Sequence, residues 1–144
     1  MRLLRTPNLL RALLAAVMVA AGLCGCASAG KGDKLHEAQY AYSAAIRWGD
    51  FEGAWNLVDP KYREAHPLTE MQFERYKQIQ ISKYNDIGSQ TLADGIVVRQ
   101  IQIGVVNRNN MTERGTRYLE RWRFDAEAGA WWLDGPLPDL WQGE

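Results

Sequence analysis

Before Ile79 the apolar side chains recur at three and four positions, and from Ile79 onward they recur at every second one; this change of period constrains the fold more than any other feature. A helical stripe and a strand face are different periodicities, so neither segment can bury its apolar set in the other's geometry. Helices followed by strands predict an α+β domain, with three N-terminal helices packed on a curved antiparallel sheet of about four strands.

The elements have local signals. Asp33 is placed to cap a helix over residues 34–48, in which Leu35, Ala38, Ala41, Tyr42, Ala45, Ile46 and Trp48 form one broad apolar face. Gly49 stops it, and Asp50 caps a short second helix that ends at Asp59-Pro60, because a residue before proline avoids helical geometry. Thr69-Glu70-Met71-Gln72 reads as a capping box opening a third helix to about residue 78. Strands are expected over residues 79–91, 96–107, 112–125 and 130–134, with turns at Ala93-Asp94-Gly95, at 107–110 and at Glu127-Ala128-Gly129. In the third strand Tyr118, Glu120, Trp122 and Phe124 share one face, and Arg117, Arg121 and Arg123 share a face expected to be solvated.

The first residues have an export layout: Arg2, Arg5 and Arg11 lead, with no acid, into an apolar run over residues 12–23. That run is short of the about 20 residues that a permanent transmembrane helix needs. Leu23-Cys24-Gly25-Cys26 resembles the lipobox of bacterial lipoproteins, with Cys26 as the modified residue. The resemblance implies cleavage before Cys26, diacylglycerol on its sulfur and a further acyl chain on its amino group; two or three chains suffice for stable anchoring where one gives only marginal binding. The expected organisation is a signal peptide over 1–25, a lipidated tether over 26–32 and one folded domain over 33–144. Ala27 in place of Asp after the cysteine favours, by the same resemblance, the outer membrane facing the periplasm. An ordinary cleaved signal ending near Ala27-Ser28-Ala29 is the alternative.

Cys24 and Cys26 are the two cysteines and nothing after Cys26 carries one, so the folded part has no disulfide and no thiol nucleophile. The full chain is formally neutral, and losing three arginines leaves a net acidic remainder with scattered Lys and Arg, which argues against nucleic acid as a partner. His36 and His66 are thirty residues apart in no ligand motif, so no metal and no cofactor is expected.

Ile46-Arg47-Trp48-Gly49-Asp50-Phe51-Glu52-Gly53-Ala54-Trp55, Glu120-Arg121-Trp122-Arg123-Phe124 and Trp131-Trp132-Leu133, in this element order, resemble the nuclear transport factor 2-like superfamily. The resemblance implies a cone whose sheet curls around the first helix. That superfamily holds isomerases, cyclases and noncatalytic binding domains, so fold alone leaves chemistry open. Its isomerases use an acidic base deep in the cone, and Glu120, between Tyr118 and Trp122 on the inward face, is the candidate here. The bland reading of Glu120 is an ion pair with an arginine. Tyr42, Tyr118, Glu120, Trp122 and Trp132 are the pocket candidates; Tyr40, Tyr76 and Tyr84 are further hydroxyl donors that serve equally well in a core. Trp131 and Trp132 must face opposite ways in a strand, and the Leu137, Leu140 and Trp141 tail either leaves an apolar patch exposed or folds back over it. The leading expectation is a membrane-anchored envelope lipoprotein with a noncatalytic domain that binds a partner protein or a small apolar molecule. The alternative is a ketosteroid-isomerase-like or cyclase-like enzyme with Glu120 as general base. Pairing of two copies through the sheet is compatible with either.

Overall fold

A computed structural model describes residues 30–141. The leader, Cys26 and the tether to residue 29 lie outside the described residues. Helix α1 occupies residues 30–48 of the described chain, so Asp33 sits inside it and does not cap it, and residues 30–32 are helical. Each residue added to an existing helix gains a hydrogen bond, which offsets the cost of about 1 kcal/mol for a helical glycine such as Gly30 or Gly32. Gly49, at a φ of 76°, ends α1 in the left-handed conformation that favours glycine.

The Asp50 side chain accepts from the Gly53 amide at 2.8 Å and opens α2, Phe51–Asn56. α2 ends before Asp59-Pro60 as expected, three residues early at Asn56, but the dipeptide also starts a helix that the sequence reading lacks, α3, Pro60–Ala65. Asp59 lies outside helical geometry at a ψ of 125°, as a residue before proline should, and its carboxylate caps the Lys61 amide at 2.9 Å. Proline at the first helical position loses only a hydrogen bond that no helix makes there. The helices therefore number four among the described residues, not three. The fourth, α4, Glu70–Tyr76, carries the foreseen capping box between Thr69 and Gln72.

Strands β1, Ile79–Thr91, β2, Val97–Asn107, β3, Glu113–Asp125, and β4, Ala130–Leu133, form an open antiparallel meander in the order β1-β2-β3-β4. Between β2 and β3 the Asn107 amide donates to the Thr112 carbonyl at 3.0 Å, and this tight turn fixes a register in which Arg99 faces Glu120. β1 carries two bulges, at Ile81/Lys83 and Asp86/Gly88. Gly104 opposes the first, where an added Cβ would stand 2.4 Å from Ser82 Oγ and 2.9 Å from Lys83 Cβ. Beyond β4 the chain around Val58 adds a parallel bridge to Leu133, with Asp59 N donating to Leu133 O at 2.9 Å, so the short strand has no bare edge there.

The core lies on one face of the sheet. Tyr42 and Ile46 of α1, Phe51 and Ala54 of α2 and Tyr76 of α4 pack with Ile101, Ile103, Val105, Trp122, Trp131 and Leu133. The tail folds back: Leu137 and Leu140 are buried, and the Tyr76 hydroxyl donates to the Pro138 carbonyl at 3.2 Å. No described helix is long and apolar enough to cross a membrane.

Candidate functional site

The inward slots of β2 are Val97, Arg99, Ile101, Ile103 and Val105, so an arginine interrupts an otherwise apolar row, and it is buried like its neighbours. Across the strands stands Glu120, with no exposed surface. A buried charge costs several kcal/mol unless it is paired and hydrogen-bonded, and both conditions are met. The Tyr84 hydroxyl donates to Glu120 Oε1, and Trp122 Nε1 donates to Oε2 at 2.7 Å. Arg99 Nε lies 3.4 Å from Glu120 Oε2 and 3.2 Å from the half-exposed Asp86 Oδ2. Burial nevertheless raises the Glu120 carboxyl above its ordinary range, against the lowering by Arg99, Tyr84 and Trp122.

Three tyrosines complete the cluster. Tyr42 and Tyr118 share a hydrogen bond at 3.0 Å, Tyr118 donates to the Pro136 carbonyl at 2.8 Å, and Tyr42 meets Trp122 edge to face at 5.8 Å. Burial pushes the Tyr42, Tyr84 and Tyr118 hydroxyls upward, so they remain protonated donors at neutral pH. The structure thus brings Tyr42, Tyr118, Glu120 and Trp122 together and adds Tyr84 and Arg99. Trp132 is not with them: Trp131 and Leu133 point into the core, and Trp132 is half-buried on the other face of β4. The four do not line an open pocket, since Tyr42, Glu120 and Trp122 expose no surface. Nor is the arginine face of β3 uniformly solvated: Arg123 Nε donates to Asp59 Oδ2 at 2.9 Å and ties the start of α3 to the sheet.

The open, aromatic space lies elsewhere. Trp55, Tyr62, His66, Arg75, Tyr76 and Trp141 are among the walls of a cavity of about 300 Å³ between the helices and the folded-back tail. Tyr62 meets Trp55 edge to face at 6.4 Å and stacks on His66 at 4.4 Å; Tyr76 tilts against Trp141 at 4.8 Å, and the Arg75 guanidinium lies 4.2 Å over the Trp141 ring. Burial pushes the Tyr76 hydroxyl up to about 12. Aromatic walls with a few convergent polar groups are the usual make-up of a small-molecule site. Among the described residues no group of three His, Cys, Asp or Glu side chains could hold a metal ion.

Compared with protein-family models, curated proteins and solved structures, the chain matches none of them.

Proposed function

We propose that the chain is a lipid-anchored envelope protein whose folded domain, a variant of the nuclear transport factor 2-like cone, binds a small apolar or amphipathic molecule without transforming it. One observation carries the noncatalytic part: Glu120, the acid placed best for proton transfer, has no exposed surface, and its oxygens are engaged by Tyr84, Trp122 and Arg99. A general base must come within hydrogen-bond reach of the proton it takes, and no substrate atom reaches Glu120 past those partners. The aromatic cavity beside Trp55 and Trp141 is the proposed ligand site. Element order, four helices before a four-stranded meander, supports the cone, and Leu23-Cys24-Gly25-Cys26 supports the anchor.

The neutral fluorescent probe N-phenyl-1-naphthylamine tests the binding site, with an unlipidated Cys26→Ala protein to avoid partition into lipid. Saturable fluorescence enhancement is expected, weakened at least tenfold in Trp55→Ala and Trp141→Ala and unchanged in Glu120→Gln. Enhancement that does not saturate, or that ignores both tryptophans, contradicts the reading.

A further inference from the structure

A stripe of α1 beside its core face bears a second site. His36, Tyr40, Ser43 and Arg47 follow one another at steps of four, three and four, the spacing that lines up side chains on one helix face. With Trp48, these four and Arg99 of β2 are among the walls of a cavity of about 390 Å³. Two of the walls are conspicuous: Trp48 is 87% exposed and Tyr40 is 74% exposed, although large aromatic side chains ordinarily find cover. Beneath them Arg99 is 8% exposed, and its Nε, though near two carboxylates, makes a hydrogen bond with neither. Its Nη2 reaches toward α1, donating to Ser43 Oγ at a long 3.4 Å. Arg47 stands at the rim and spends one donation on the Tyr84 carbonyl at 2.8 Å, out of the five N–H donors a guanidinium carries.

We propose that this cavity binds a small organic carboxylate with a flat apolar body, the carboxylate between the Arg47 and Arg99 guanidinium groups and the body against Trp48 and Tyr40. Guanidinium forks match carboxylates in plane and spacing, which a point charge does not. Arg99 also faces Asp86 and Glu120, so its charge is already offset in part, and Arg47 supplies the cation that these acids do not compensate. The Trp48 and Tyr40 rings offer a low-entropy apolar platform and hold the ligand's orientation. This site shares no lining residue with the aromatic cavity of Trp55 and Trp141 and does not depend on that cavity's holding a ligand.

The test is isothermal titration calorimetry on the unlipidated full-length Cys26→Ala protein, using 2-naphthoate and its uncharged counterpart 2-naphthamide. The expected result is 2-naphthoate binding at least tenfold tighter than 2-naphthamide, and at least tenfold weaker in both Arg47→Gln and Trp48→Ala. Both substituted side chains are on the surface, and unchanged circular dichroism establishes that the variants are folded; Arg47→Lys, which keeps the charge without the fork, should recover only part of the affinity. Equal affinity for the two probes, no 2-naphthoate binding up to about 1 mM, or an affinity within twofold of wild type in either variant overturns the proposal.

Discussion

Replacing Glu120 by leucine keeps the volume close to constant and removes the acceptor on which two buried donors depend, the Tyr84 hydroxyl and Trp122 Nε1. A buried donor left without a partner costs about 1–3 kcal/mol, so the two together come to about 4 kcal/mol. Arg99 loses one of its two carboxylates but keeps Asp86, which holds the total near that figure. For a domain of this size the loss corresponds to a fall in Tm of roughly 15 °C. Glu120→Gln retains an acceptor oxygen in place and should lose only about 1–2 kcal/mol. Urea unfolding followed by far-ultraviolet circular dichroism measures both. Joint replacement of Arg99 and Glu120 by leucine should be less destabilising than the two single changes added, because breaking a buried pair leaves an uncompensated charge and removing it does not. A Glu120→Leu protein within about 1 kcal/mol of wild type refutes the claim that this carboxylate holds the core together.

Other consequences are open to measurement. The Glu120 carboxyl is raised in the folded protein, so the folded state takes up its proton more readily than the unfolded chain; stability from this group is full below the ordinary value of 4.5 and is lost as pH rises through the folded value. The unfolding free energy of wild type relative to Glu120→Gln should accordingly fall as pH is raised from 4.5, and parallel curves would show that burial does not perturb this group. Gly104→Ala should cost about 2 kcal/mol, because its methyl group meets Ser82 and Lys83 at the β1 bulge; a stability equal to wild type means the bulge yields freely. Asp59→Ala removes both the α3 cap and the partner of Arg123, and should lower stability by about 2–3 kcal/mol in thermal unfolding.

The architecture was legible wherever a local rule decided it. The switch to period two at Ile79 marks the first residue of β1, and the capping box at Thr69 marks the residue before α4. Asp59-Pro60 is a stop signal for the preceding helix, and nothing local shows that it also caps a following one; that second role depends on the course of the chain beside Leu133. Within the site, Glu120 and its neighbours Tyr118 and Trp122 followed from alternation alone. Arg99 was missed, although it occupies an inward slot between Val97 and Ile101 and the tight turn at Asn107 sets it opposite Glu120. Two opposite charges in facing inward slots are the sign of a buried pair, and that sign was present in the sequence. The cavity of Trp55 and Trp141 had no such signal, since it joins helices to a tail more than sixty residues away through contacts that no periodicity encodes.

The anchor is the claim on which the cellular reading rests, and radiolabelled palmitate incorporation with intact mass, on the full chain expressed in a Gram-negative host, tests it most directly. Label is expected on the wild type and none on Cys26→Ala, with a mature mass that begins at acylated Cys26. Absence of label from both proteins, with a mature chain beginning after Ala29, would contradict it and leave an exported domain with no lipid tether.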